Sequence, residues 1–146
     1  MIELGHVVFY LKNLDASLKF YSAAVGLSIK EKIFNDRASI LTGGRTHHEL
    51  LLIDVGEAQG PLSGKRIGLY HVGWKVGNSL VELTQAKGRI EKLGYLIKAQ
   101  SDHTVSQSLY LLDPDGNEIE LYVDNPEVGW KNDSSWLTSL VKPLAL

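Results

Sequence analysis

Cysteine is absent from this chain, and proline occurs only four times. Without a thiol, the chain cannot form disulfides, zinc ribbons or thiolate nucleophiles. It also lacks a Lys/Arg run, and its formal net charge is −2, so we expect no nucleic-acid partner. No apolar run approaches the roughly 20 residues that span a bilayer, and no basic segment followed by an apolar one opens the chain. We therefore expect a cytoplasmic protein that does not bind membranes.

What the chain contains is an internal repeat. Its composition, 44% hydrophobic and 22% charged over 146 residues, is that of one globular functional domain. Three short matches recur at an offset that grows from 65 to 71 residues, as small loop insertions would produce: His6-Val7 with His71-Val72, Val25-Gly26-Leu27 with Leu93-Gly94-Tyr95, and Glu49-Leu50 with Glu120-Leu121. We interpret them as an internal duplication.

Each half has the same predicted order of elements. Short β-branched and aromatic runs predict strands, and helical spacing between a capping residue and a glycine predicts one helix per half. In the first half we predict strands at 4–11, 28–34, 38–42 and 47–55 and a helix from Asn13 to Gly26; in the second, strands at 69–76, 95–99, 106–112 and 118–123 and a helix at 80–93. The pattern predicts an α+β fold of two tandem βαβββ modules at 1–60 and 65–125. The remaining residues, 126–146, are expected to form a tail that packs outside or on a second subunit.

Three residues are candidate metal ligands: His6 and His71, at equivalent positions of the repeat, and Glu120, near the end of the second copy. Two imidazoles and one carboxylate leave positions open on a divalent ion, as a catalytic metal requires. Strand alternation places each on the polar face of its strand, while the opposite faces are apolar and suit packing against helices. Glu118 shares the parity of Glu120 but lies beside a turn, so we expect it to be a solvated residue at the strand entry.

Three motifs carry a resemblance to a known family. They are His6-Val-Val-Phe-Tyr-Leu with Asn13-Leu-Asp15 and Phe20-Tyr21, Tyr70-His-Val-Gly-Trp-Lys-Val76, and the segment from Asp102-His103 through Tyr110 and Asp113-Pro-Asp-Gly-Asn117 to Tyr122. Over roughly residues 2–125, the chain resembles the vicinal oxygen chelate superfamily, which includes glyoxalases, bleomycin-resistance proteins and extradiol dioxygenases. It is most similar to small catechol 2,3-dioxygenase-type proteins. The resemblance implies that the two modules form a cup-shaped, mostly antiparallel sheet around a metal site.

The resemblance also implies a reaction and a set of site residues. It implies an oxidoreductase, an extradiol-type dioxygenase that cleaves the ring of a catechol-like diol with O₂, and a homodimer. Fe(II) is the metal we expect, held by His6, His71 and Glu120, with Mn(II), Ni(II) and Zn(II) as alternatives. His48 is the candidate acid–base residue, because imidazole exchanges protons near neutral pH. His103 resembles a further histidine near the metal, and Tyr110 resembles a tyrosine that hydrogen-bonds the substrate.

Alternatives stay open at this point. If His48 faces the metal, strand alternation turns Glu49 toward the helices; if Glu49 faces it, Glu49 could be a fourth ligand, as in a glyoxalase I-like isomerase or thiol transferase. A β-bulge could reconcile the two. The third alternative is a non-catalytic module that binds a small ligand. The metal site could form within one chain or through exchange of modules between two chains.

Overall fold

The computed structural model describes residues 1–146 and has an α+β architecture with two separate sheets. The chain divides into two compact units. Unit 1 contains residues 1–64 and 113–116, and unit 2 contains residues 65–112 and 117–146. Each unit repeats the order strand, helix, three strands, so the predicted fold of two βαβββ modules is confirmed. No helix combines the length and the apolar content needed to cross a bilayer.

Unit 1 holds a four-stranded sheet in the order β1-β4-β3-β2. β1 and β4 run parallel, and the other neighbours are antiparallel. Its elements are β1 (Val7–Leu11), α1 (Leu14–Lys19), a π-helical turn (Phe20–Val25), β2 (Ser28–Ile33), β3 (Ala38–Thr42) and β4 (Leu50–Asp54).

The helix of unit 1 begins and ends at the predicted residues. The Asn13 side chain accepts a 2.9 Å hydrogen bond from the Ala16 N–H group and caps the first turn. Gly26 ends the helix with φ 104°, a left-handed conformation that favours glycine. The second half differs from the prediction because it is π-helical, and the Gly26 N–H group reaches back five residues to the Tyr21 carbonyl. Apolar spacing in six residues does not separate the two helix types, because six residues cover less than two turns of either one.

Unit 2 holds a five-stranded sheet in the order β5-β8-β7-β6-β9, in which β5 and β8 are parallel. Its elements are β5 (His71–Gly77), α2 (Leu80–Lys92), β6 (Ile97–Asp102), β7 (Ser106–Leu112), β8 (Glu118–Asp124), a 3₁₀ turn (Ser135–Thr138) and β9 (Lys142–Pro143). The two-residue strand β9 pairs with the outer edge of β6. The sequence did not predict it, because two residues carry no strand pattern.

A capping box starts α2. The Ser79 side chain accepts from the Glu82 N–H group, and the Glu82 carboxylate accepts from the Ser79 hydroxyl group at 2.8 Å and from the Asn78 N–H group at 2.7 Å. Gly77 leaves room for this carboxylate, since a Cβ there would lie 2.5 Å from a Glu82 side-chain atom. The sequence therefore fixes the start of α2 through local hydrogen bonds.

Strand alternation separates a packed face from an open face in each unit, as predicted. In β8, alternate residues Ile119, Leu121 and Val123 are fully buried, and α2 packs against the sheet of this unit. In β1, Phe9 and Leu11 are buried, whereas Val8 and Tyr10 are exposed. Burying these apolar side chains is the main contribution to the stability of each unit.

In unit 1, two predicted strands are shorter than expected at their start. β1 begins at Val7 and not at Leu4, and β4 begins at Leu50 and not at His47. His6 and His48 therefore precede their strands. Alternation does not govern the direction of a side chain outside the pleated segment.

Candidate metal centre and its hydrogen-bond network

His71 and Glu120 lie side by side on the open face of the unit 2 sheet. They come from the parallel neighbours β5 and β8, where the register pairs Gly73 with Glu120. His71 Nε2 is 3.3 Å from Glu120 Oε2. Gly73 makes this approach possible, because a Cβ there would lie 3.1 Å from the same carboxylate oxygen. The structure therefore brings together two of the three predicted ligands.

The second oxygen of Glu120 is occupied by two hydroxyl groups from β7. Ser108 donates to Oε1 at 2.6 Å and Tyr110 donates to it at 3.0 Å. With Oε1 held in this way, Oε2 is the oxygen that faces His71. Ser108 was not among the predicted site residues. Strand alternation could have identified it, because Ser108 and Tyr110 are two residues apart on one strand and therefore share a face.

Tyr110 links Glu120 to His103. The Tyr110 hydroxyl oxygen is 2.8 Å from His103 Nε2. A tyrosine hydroxyl has one proton, so its donation to Glu120 requires His103 to carry a proton on Nε2 and donate it to the Tyr110 oxygen. Burial, followed by the negative charge of Glu120, raises the pKa of Tyr110 to about 12. The phenol is therefore protonated at neutral pH and acts as a hydrogen-bond donor.

Glu118 is not the solvated residue that the sequence suggested. Its side chain is 22% exposed, and its Oε2 atom is buried and 3.4 Å from His71 Nδ1. The prediction was wrong because His71 and Glu118 are direct partners in the β5–β8 register, which a single sequence does not reveal. His71 thus has a carboxylate on each side of its ring.

His6 and His48 form a pair in unit 1. His6 directly precedes β1 and His48 lies two residues before β4, and these strands are parallel neighbours. Their ring centroids are 4.7 Å apart, and His47 contacts His48 through the two Nδ1 atoms. Partial desolvation, followed by the neighbouring His47 and His6, lowers the pKa of His48. The neutral imidazole, which can accept a proton, is therefore favoured.

Glu49 stabilises the turn between β3 and β4 through hydrogen bonds. Its side chain is buried and accepts hydrogen bonds from the Thr42 hydroxyl group and from three backbone N–H groups, those of Gly43, Arg45 and Thr46. Burial alone would raise the pKa of Glu49, but these hydrogen bonds outweigh it and lower the pKa. A carboxylate has about four acceptor sites, so Glu49 has none left for a metal.

The donor chemistry of His71 and Glu120 fits a divalent ion. Two ligand atoms about 2.1 Å from one ion and at a right angle to each other lie about 3.0 Å apart, close to the 3.3 Å between His71 Nε2 and Glu120 Oε2. The structure has no group of three or more histidine, aspartate or glutamate side chains placed to hold a metal ion. The complete set of His6, His71 and Glu120 therefore remains a prediction.

Comparisons with known proteins identify the family of this chain. The family model of the glyoxalase/bleomycin resistance protein/dioxygenase superfamily matches residues 3–121. The chain is 35% identical to the catechol-2,3-dioxygenase of Bacillus subtilis (strain 168) over 134 residues, which are 90% of this chain and 45% of that protein. It is also 31% identical over 136 residues to a probable trivalent organoarsenical cleaving enzyme of the same organism, covering 89% of this chain and 86% of that protein.

A solved structure supports the same placement at the level of the fold. A glyoxalase/dioxygenase from Nostoc punctiforme aligns with a TM-score of 0.73 at 17% identity, covering 84% of this chain and 91% of that one. The chain spans less than half of the dioxygenase relative from Bacillus subtilis. The family match, which extends over most of the sequence, shows that the chain belongs to the glyoxalase/bleomycin resistance protein/dioxygenase superfamily.

Proposed function

We propose that the protein is a metal-dependent extradiol-type dioxygenase that opens the ring of a catechol-like diol with O₂. The observation that supports this proposal is a network of side-chain contacts. Glu120 contacts His71 and Tyr110, and Tyr110 also contacts His103. The network joins two metal-binding side chains to a protonated phenol and an imidazole. A relative that aligns with 90% of this chain is named catechol-2,3-dioxygenase.

His6, His71 and Glu120 would hold Fe(II). When bound, this ion would supply the Lewis-acid and redox chemistry that the reaction of a diol with O₂ requires. The Ser108 and Tyr110 hydroxyl groups hold one oxygen of Glu120 and so fix the direction of the other. Because Glu120 accepts both bonds through Oε1, its Oε2 atom is the one available for coordination.

His48 and Tyr110 have different tasks in this proposal. His48 is favoured in its neutral form, so it can take a proton from a diol hydroxyl group and return it later. Tyr110 keeps its proton, since its pKa is about 12, and orients the Glu120 carboxylate by donating a hydrogen bond to Oε1. His103 holds the Tyr110 hydroxyl group in place at 2.8 Å.

An aromatic substrate also needs an apolar surface. Val8 is 44% exposed and Tyr10 is 71% exposed, and both lie on the open face of β1, the strand that His6 directly precedes. A benzene ring packed on these side chains would bury apolar area that water now contacts. This surface favours a catechol ring over a small, fully polar substrate.

Two alternatives fit the structure less well. A glyoxalase I-like isomerase or thiol transferase with Glu49 as fourth ligand is disfavoured, because four hydrogen bonds occupy that carboxylate. Cleavage of a trivalent organoarsenical is disfavoured because the soft arsenic atom binds thiolates, and this chain has no cysteine. A ligand-binding module without catalysis makes a different prediction, since its ligand would bind equally well in the presence of a chelator.

The test is ring opening that depends on iron. The protein is loaded anaerobically with Fe(II), mixed with catechol or a methylcatechol, and exposed to air. We expect a yellow ring-opened product and one O₂ consumed for each diol, lost in Glu120→Gln and retained in the matched control Glu91→Gln, whose side chain is 59% exposed. Metal binding without O₂ consumption for any diol tested would overturn the proposal.

A further inference from the structure

Two buried atoms in unit 2 have no hydrogen-bond partner yet face one another. They are His71 Nδ1 and Glu118 Oε2, and they are 3.4 Å apart. A buried polar atom without a partner is costly, and approach by a few tenths of an ångström makes this pair a hydrogen bond. The backbone fixes the juxtaposition, because His71 and Glu118 are direct partners in the β5–β8 register.

We propose that Glu118 is a positioning residue that accepts the Nδ1 proton of His71 and leaves Nε2 free to bind the divalent metal. This inference rests on the proposed function of His71 as a ligand. An imidazole binds a metal through a nitrogen without a proton, so the other nitrogen must carry the proton and needs an acceptor. Glu118 lies on the Nδ1 side and Glu120 on the Nε2 side. The two carboxylates are two residues apart on β8 and therefore share a face.

Tyr70, the residue that precedes β5, contacts the other side of this pair. The Tyr70 and His71 rings have centroids 4.6 Å apart. This contact restricts rotation of the His71 ring, on which the direction of Nδ1 toward Glu118 depends.

The first measurement is the affinity for Zn(II), a redox-inert probe, by competition with a chelator on the full chain. Carboxylate partners of histidine ligands change metal affinity about 10- to 100-fold, so we expect Glu118→Ala to weaken binding by this factor. Glu118→Gln should lose less, because its amide oxygen still accepts the Nδ1 proton. Glu91→Gln removes an equal charge at an exposed site on α2 and should bind Zn(II) like the original chain.

The second measurement separates orientation from simple loss of negative charge. In the zinc-loaded protein with ¹⁵N-labelled histidine, we expect a His71 Nδ1–H proton that exchanges slowly with water. In Glu118→Gln its chemical shift should move, because an amide replaces a carboxylate as acceptor, and in Glu118→Ala it should exchange quickly. If the alanine variant does not fold, the glutamine variant decides the matter.

Failure of the positioning role of Glu118 can be distinguished from failure of the proposed metal site. Glu118 variants that bind Zn(II) as tightly as the original chain, with an unchanged His71 Nδ1–H signal, would overturn this inference and leave the proposed function standing. A His71→Ala variant that still binds Zn(II) with unchanged affinity would overturn the proposed metal site and this inference with it.

Discussion

Glu49 accepts a 2.8 Å hydrogen bond from the Thr42 hydroxyl group, within a turn that also directs three backbone N–H groups at the same carboxylate. Glu49 is the repeat partner of Glu120, yet the two carboxylates have different surroundings. Glu49 stabilises the β3–β4 connection, whereas one oxygen of Glu120 faces His71.

Replacing Glu49 should therefore affect stability and leave the metal affinity unchanged. Glu49→Gln keeps the size of the side chain but removes the negative charge to which the turn donates four hydrogen bonds. We therefore expect the free energy of unfolding to fall by about 2 kcal/mol. Urea denaturation measures it, with Glu31→Gln at an exposed strand position as control. Because the pKa of Glu49 is lowered, its contribution is present above the ordinary glutamate pKa of about 4.3 and is lost as the pH falls through the folded value. The difference between the two proteins should shrink in acid, and one that stays constant would contradict this role.

Tyr21 should make unit 1 sensitive to alkali. It is fully buried, and its hydroxyl group donates to Asp113 at 2.7 Å. Burial, followed by the charge of Asp113, raises the pKa of Tyr21, so its contribution is fully present below about pH 10 and is lost as the pH rises through the folded value. Tyr21→Phe should cost about 1–3 kcal/mol at neutral pH and reduce the alkaline loss. Tyr10→Phe, at a side chain 71% exposed, is the control and should change neither.

Tyr110→Phe should separate catalysis from metal binding. The variant loses the donor to Glu120, while Ser108 still holds the same oxygen at 2.6 Å. We expect kcat for ring opening to fall roughly 100-fold, with Fe(II) affinity nearly unchanged. Steady-state oxygen uptake at saturating diol measures kcat, and Glu91→Gln, at an exposed position on α2, is the control. An unchanged kcat would remove Tyr110 from the mechanism.

Gly88→Ala should stabilise the protein. Gly88 lies inside α2, and a Cβ added there meets no atom within 4 Å. Alanine is favoured over glycine inside a helix by about 0.5–1 kcal/mol, so thermal unfolding should shift upward. The contrasting variant is Gly73→Ala, whose Cβ would lie 3.1 Å from Glu120 Oε2 and should weaken Fe(II) binding. A destabilised Gly88→Ala variant would show that α2 needs the glycine for another reason.

The fold was predictable because each half carries its own local signals. Asn13 and Gly26 bound the first helix as expected, and the alternation of β8 identified its buried face. The register between strands was not predictable from one sequence. That register places Gly73 beside Glu120 and Glu118 beside His71, and these placements correct the interpretation of Glu118.

The site was predictable in part for the same reason. His71 and Glu120 were predicted as ligands because His71 matches His6 in the repeat and Glu120 lies in the last strand of the second module. The uncertainty over His48 and Glu49 arose because alternation was applied to residues that precede β4. The direction of the Glu49 side chain is set by hydrogen bonds in an irregular turn. These hydrogen bonds cannot be predicted from composition or from the spacing of residues.

The most direct test of the central claim is ring opening under ¹⁸O₂, followed by mass spectrometry of the product. A dioxygenase adds both atoms of O₂ to the diol, and cleavage next to a hydroxyl group leaves one of them in a new carboxylate that does not exchange with water. We expect ¹⁸O in that carboxylate for the Fe(II)-loaded protein and none for Glu120→Gln. A ring-opened product that carries oxygen only from water, or a diol recovered intact from the Fe(II)-loaded protein, would contradict it.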